Sequence, residues 1–209
     1  MRTRPYEQRR RAEAAAQTRA RIIDAVIERL REAPAEPVAI ERIAEMAGVN
    51  RSTVYAIFGS RAGLFDAVGA EVFERAGRRQ LVEATRHPDA REQLRGGLRA
   101  ATEMLADQRD IIRALYSMAQ LDERAVGGAV GRWEAERGAA MARIAKQLGE
   151  QGHLRPGIAV ADAERTLWVL TSFEAFDLLF TGKRLSARAV SDLMVATAER
   201  ALCTVEPSA

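Results

Sequence analysis

The side chains best placed to do chemistry in this sequence are hydrogen-bond donors and cations. From Asn50 to Arg61 the chain reads Asn-Arg-Ser-Thr-Val-Tyr-Ala-Ile-Phe-Gly-Ser-Arg, with no carboxylate anywhere in the run. Arg51 supplies a planar guanidinium suited to a base edge or a phosphate. Ser52 and Thr53 offer hydroxyls, while Tyr55 and Arg61 suit phosphate oxygens, contacts that position a protein on DNA without reading its sequence. Val54 and Phe58 lie four apart, so a helix here has an apolar face, and Arg51, Ser52 and Tyr55 fall outward near its start. An α-helix fits the major groove, and its first turn approaches the bases. The chemistry on offer is therefore nucleic-acid recognition.

Three flanking stretches must hold that run in place. Ile40, Ile43, Ala44 and Ala47 recur at spacings of three and four, which predicts a short helix over 40–47. Gly48 can adopt the positive φ of a tight turn, and Asn50 has the short polar side chain that caps a new helix. Gly59 and Ser60 end it. Two short helices across a glycine-containing turn make a helix-turn-helix. Upstream, Thr18 is a candidate cap for a helix whose stripe is Ile22, Ile23, Val26, Ile27 and Leu30. That stripe can pack across the pair and fix their crossing. Downstream, Leu64, Phe65, Val68, Val72 and Phe73 give a fourth helix its apolar side.

The ordered residues Ile43-Ala44, Ala47-Gly48-Val49, Thr53-Val54-Tyr55, Phe58, Ser60-Arg61 and Leu64-Phe65 carry a pattern. Over residues 18–67 the sequence resembles the TetR family of transcriptional regulators. The resemblance implies an all-α chain of about nine helices in three parts: a basic flexible arm at 1–17, a three-helix helix-turn-helix headpiece at 18–60, and a helical effector-binding and dimerisation domain at 61–209. It implies a homodimeric repressor that binds palindromic double-stranded DNA through Asn50, Arg51, Ser52, Thr53, Tyr55 and Arg61. A small, largely apolar effector would release it. An activator of the same architecture, or a dimeric ligand- or protein-binding module with vestigial DNA binding, are the alternatives. The second of these draws on departures from the family pattern. Ala39 stands where a capping Thr or Ser is usual, and Ser52 where Gly is common. Ala56 and Ile57 replace an aromatic–His pair that helps hold phosphates, and Arg61 replaces a common Lys.

Composition agrees with a helical, non-catalytic chain. The sequence has 209 residues, 47% apolar and only 5% aromatic, and it is rich in alanine and leucine, which favour helix. Its net charge of +3 is unevenly spread. Residues 1–21 hold seven arginines, Arg9, Arg10 and Arg11 among them, against Glu7 and Glu13, a net +5 that leaves the remainder at −2. Beside a DNA-binding module such an arm suits phosphates or a minor groove; the plainer reading is a solubilising tail. Cys203 is the sole cysteine, so no internal disulfide is expected, and no apolar run is long enough to span a membrane. A cytoplasmic protein is the expectation. His87 and His153 are the only histidines and sit beside Pro and Gly. No metal-ligand spacing, phosphate loop or nucleophile elbow is present, and neither enzyme activity nor a cofactor is expected.

The remaining chain divides at turn signals. His87-Pro88 marks a break with Asp89 as a cap, then a stripe of Leu94, Leu98, Ala101 and Leu105; residues 108–110 read as a turn, and 122–131 as a loop or frayed helix start. Met104, Tyr116, Met118, Trp133, Met141 and Trp168 are candidate effector-pocket residues on the family resemblance, since methionine and aromatic side chains suit adaptable apolar sites. Asp162 is a candidate cap for a helix to about Phe180, and Ser186 for the last one. Their apolar residues cover more than one face, which points to a second copy as the covering surface. The candidate dimer contacts are Leu167, Leu170, Phe173, Phe176, Leu179, Val190, Leu193, Met194 and Ala201.

Overall fold

The computed structural model describes residues 3–34 and 36–205, with side chains from residue 6 onward. Among them run eleven α-helices: α1 (Thr3–Glu32), α2 (Ile40–Met46), α3 (Arg51–Phe58), α4 (Arg61–Arg75), α5 (Arg78–Ala84), α6 (Ala90–Asp107), α7 (Arg109–Leu121), α8 (Gly128–Glu150), α9 (Val160–Leu170), α10 (Phe173–Asp177) and α11 (Ala187–Leu202). Two π-helical turns, Glu123–Gly127 and Leu178–Gly182, precede α8 and follow α10. The architecture is all-α, as expected. The only extended pairing among the described residues is one antiparallel bridge between Leu154 and Cys203. The chain forms two compact units, Met1–Val72 with Asp110–Val130, and Phe73–Arg109 with Gly131–Ala209.

In the first unit the expected stripe of α1 is the core: Ile22, Ile23, Val26, Ile27 and Leu30 are all essentially inaccessible. Ile40, Ile43 and Ala44 of α2, Val54 of α3, and Leu64, Phe65, Val68 and Val72 of α4 are buried, as are Ile111, Ile112, Leu115 and Val126. Each of the buried Val, Leu, Ile and Phe side chains contributes about 1.5–3 kcal/mol. α2 packs against both α1 and α3. Gly48 has φ 63° and Gly59 φ 74°, a region glycine enters without steric cost, so both turns depend on it.

Several boundaries differ from expectation. The first helix starts at Thr3 rather than Thr18, whose hydroxyl donates back to the Ala14 carbonyl at 2.9 Å. Residues 6–17 are exposed, so no apolar periodicity marks them. Alanine-rich sequence and an Arg9–Glu13 pair one turn apart at 2.9 Å favour helix there instead. Of the expected arm at 1–17, residues 1–2 and the side chains of 3–5 lie outside the described residues. Asn50 occupies the N-cap position of α3, but its side chain makes no capping hydrogen bond, and neither does Ala39 at α2.

The second unit is built on α6, which packs against α5 and α11. Leu94, Leu98, Ile144, Leu148, Ala163, Leu167, Phe173, Phe176, Val190, Met194, Ala198 and Leu202 are buried in it. Asp89 and Ser186 cap α6 and α11 as expected, accepting from the Arg91, Glu92 and Ala189 amides. Asp162 does not cap: α9 starts after Ala159, and Asp162 pairs with Arg165 at 3.0 Å inside the first turn. The helix expected to run to Phe180 is interrupted at Thr171–Ser172. The Thr171 hydroxyl donates to the Leu167 carbonyl at 2.8 Å, and Ser172 caps α10 through the Ala175 amide at 3.1 Å. This break and the unforeseen α5 account for much of the higher helix count. Residues 122–131 resolve into the π-helical turn and the start of α8, with Asp122 accepting from the Ala125 amide at 3.2 Å.

Candidate nucleic-acid interface

The first turn of α3 carries most of the candidate DNA contacts. Arg51 and Ser52 are exposed, Thr53 and Tyr55 half-buried, while Val54 turns into the core. Asn50 is exposed just ahead of the helix. Arg51, however, does not hang free in solvent. Its Nη1 lies 2.6 Å from Oε1 of Glu41 on α2, and its guanidinium carbon sits 5.4 Å from the centre of the Tyr55 ring, one turn further along. A hydrogen bond to Tyr55, followed by the nearby Glu41 carboxylate, raises the Arg51 pKa above its usual value, so the group stays a cation.

Arg61, an expected phosphate contact, is paired with a carboxylate. Its Nη1 lies 3.1 Å from Oδ2 of Asp122, and its guanidinium stacks over the Phe65 ring at 5.5 Å. Its Nε is buried with no hydrogen-bond partner. Asp122 therefore serves twice, as cap of the turn after α7 and as counter-ion to Arg61. The start of α4 is held by Ser60, whose hydroxyl accepts from the Gly63 amide at 3.0 Å. A Cβ on Gly63 would stand 2.1 Å from the Phe58 carbonyl oxygen, so only glycine permits this approach of α4 to the end of α3. At the same end Arg19 of α1 lies over the Phe58 ring at 5.6 Å. Sequence reasoning missed Glu41, Asp122 and Arg19. Their partners lie ten, sixty-one and thirty-nine residues away, and no short-range spacing signals such pairs.

The candidate effector residues are distributed. Tyr116 and Met118, half-buried, belong to the first unit; Met104, Trp133 and Met141, also half-buried, to the second. Trp133 stacks on Phe73 with ring centres 6.3 Å apart. Trp168 is the most exposed of the six. It remains 38% exposed, with the Arg137 guanidinium 3.8 Å above its ring. That guanidinium also donates to the Trp168 carbonyl at 2.6 Å and the Thr171 hydroxyl at 3.0 Å.

Of the candidate dimer contacts, Leu167, Phe173, Phe176, Val190 and Met194 are buried within the second unit and are therefore core. Leu170 and Leu179 are half-buried, and Leu193 and Ala201 exposed. The larger apolar surface lies elsewhere on the same elements: Val169 is 63% and Leu178 70% exposed. Among the described residues no group of three His, Cys, Asp or Glu could hold a metal ion, and no helix is long and apolar enough to cross a membrane.

A helix-turn-helix with a donor-lined second helix thus stands near the start of an all-α chain. Residues 22–68 match the family model described as bacterial regulatory proteins, tetR family. Residues 22–68 thus carry a domain of the TetR family of bacterial regulators. A search of the curated proteins finds no match. Solved structures share the fold. NalD of Pseudomonas aeruginosa, the secondary repressor of the MexAB-OprM multidrug efflux pump, is 22% identical over 91% of this chain and 98% of its own, with a TM-score of 0.69. The ketosteroid regulator KstR2 of Mycobacterium tuberculosis is 17% identical over 90% and 95%, with a TM-score of 0.64. AibR, solved with isovaleryl coenzyme A and operator DNA, is 16% identical over 87% and 97%, also at 0.64.

Proposed function

We propose that this protein is a homodimeric transcriptional repressor that binds a palindromic operator and is released by a small, largely apolar effector. The observation that carries the reading is the first turn of α3. There Arg51 and Ser52 stand exposed within the family-matched region, with Thr53 and Tyr55 beside them and no acid between Asn50 and Arg61. Residues 18–60 would read DNA, with Asn50 and Arg61 at the edges of the contact. Residues 61–209 would sense the effector and dimerise. The exposed basic face of residues 6–17 would add phosphate contacts as an arm. A second copy supplies the second half-site, about one helical turn away or a multiple of it. An effector that binds the non-operator state tenfold better lowers DNA affinity tenfold, about 1.4 kcal/mol of coupling. AibR carries both a coenzyme A ester and operator DNA on this fold, which supports reading the helical remainder as a sensor. Such a regulator would act in the cytoplasm, beside its DNA.

The test is selection of random duplex DNA by the purified protein, followed by fluorescence anisotropy on the selected duplex across salt concentrations. The expected result is a palindrome bound by an even number of protomers, with affinity falling steeply as salt rises. Absence of any enriched sequence, with a folded dimer in hand, would favour the vestigial DNA-binding module. Ala56 and Ile57 and the engagement of Arg61 by Asp122 are the features on its side. Activation and repression are separated by where the selected palindrome falls relative to a promoter.

A further inference from the structure

We propose that Glu41 is a specificity-determining residue of the DNA interface, holding Arg51 in a fixed pose over Tyr55 for a base edge and withdrawing it from indiscriminate phosphate contact. This inference rests on the DNA-binding reading above. Glu41 and Arg51 keep 62% and 60% of their side-chain surface exposed, so a carboxylate stands on the face offered to a polyanion. Left alone, it would repel every duplex. It is not alone: it lies 2.6 Å from Arg51 across the turn that joins α2 to α3.

The geometry leaves Arg51 a defined remainder. A guanidinium has five N–H donors in a rigid plane. Glu41 engages Nη1, and the Tyr55 ring, 5.4 Å from the guanidinium carbon, lies against one face. The donors not engaged by Glu41 or by the Tyr55 hydrogen bond lie in a plane set by two neighbours on two helices. A planar pair of donors matches the O6 and N7 acceptors of guanine in the major groove. Less rotamer freedom is lost when the base contact forms, because Arg51 is already oriented. The pair as a whole also carries no net charge, so its pull on phosphates, which is the same for every sequence, is reduced. Lowering the affinity for wrong sites is as effective for selectivity as raising it for the right one. Stability is a poor explanation for the pair, since an exposed ion pair contributes little to folding.

The experiment uses the full chain and the duplex obtained by selection, with every single-base-pair variant of one half-site, measured by anisotropy at two salt concentrations. Arg51→Ala first identifies the base pair that Arg51 reads. Glu41→Gln is then expected to reduce discrimination at that base pair about tenfold, to leave the other positions unchanged, and to tighten binding to unrelated duplex several-fold. Arg51→Lys, which keeps the charge but loses the planar fork, should lose the same preference, and adding Glu41→Gln to it should cost no further discrimination. A Glu41→Gln profile that keeps every preference while all affinities shift by one common factor overturns the proposal. So does an additive double variant. A wild-type protein that binds no duplex selectively overturns this inference and the DNA-binding reading together, which separates that case from the first two.

Discussion

The Arg61 guanidinium can serve Asp122 or a phosphate, but not both at full strength, because its Nη1 faces Asp122 at 3.1 Å and its Nε is buried. With 36% and 41% of their side-chain surfaces exposed, the two groups form a pair worth at most about 1 kcal/mol to folding. The pair matters more for where a positive charge points. Asp122→Asn keeps a side chain able to cap the turn at Ala125 and removes the competing anion. The expected result is tighter binding to the selected operator, with the log–log salt slope steeper by about 0.9 for each phosphate Arg61 gains, and an almost unchanged melting temperature. An unaltered salt slope would mean that Arg61 does not reach DNA in either variant. The donors on α3 and the burial of Val54 were legible from residue types and a spacing of four. The Glu41 and Asp122 partnerships were not, because each closes across a turn or a distant segment and depends on tertiary placement.

Helices were legible where one face is buried and poorly legible where none or several are. The stripe at Ile22–Leu30 announced α1, but the helix extends back to Thr3, where propensity and the Arg9–Glu13 pair favour it. That extension places Arg10 and Arg11 on exposed helix, with Arg19 anchored over Phe58 at the end of α3. Replacing Arg10 and Arg11 by Gln preserves helix propensity. If the extension lies along the DNA backbone, the pair of substitutions flattens the salt slope by up to about 0.9 per phosphate lost. It should leave base preferences intact, as read by the same anisotropy series. An identical slope would return the segment to a solubilising role. Capping was legible at Asp89, where the carboxylate accepts from two amides. The Glu92 and Arg91 amides, with His153 3.4 Å away, hold its pKa below the ordinary 3.8 against the opposing effect of burial. A carboxyl whose folded pKa is depressed stabilises the fold above its unfolded value and loses that contribution as pH falls through the folded one. Asp89→Ala is therefore expected to cost about 1 kcal/mol at neutral pH, and the gap from wild type in urea melts should narrow progressively below pH 3.8. A gap that stays constant into acid would assign the loss to packing instead.

At the scale of the whole molecule, the question is what covers the apolar surface of the second unit. The candidate dimer residues before Phe180 were read on one unbroken helix, and the structure breaks that helix in two. The interruption at Thr171–Ser172 and the π-helical turn Leu178–Gly182 shift the phase of the residues beyond them. Leu178, rather than Leu179, is the strongly exposed residue, and before the break Val169 is exposed while Leu167 is core. Val169, Leu178 and Leu193 are 63%, 70% and 41% exposed, and they sit on α9, the π-helical turn and α11, where α11 packs against both of the others. A two-fold interface brings each of them into contact twice. A stable interface needs about 800 Å² from each partner, more than three side chains supply, so such an interface would have to take in the half-buried Leu170 and the exposed Ala201 as well. Introducing Val169→Glu and Leu178→Glu together places four carboxylates in that contact while leaving the core residues Leu167 and Phe176 untouched. Sedimentation should then report a folded monomer whose affinity for the palindrome collapses to that of a single half-site. A variant that still sediments as a dimer would move the interface to another face and leave Val169 and Leu178 without a role in assembly.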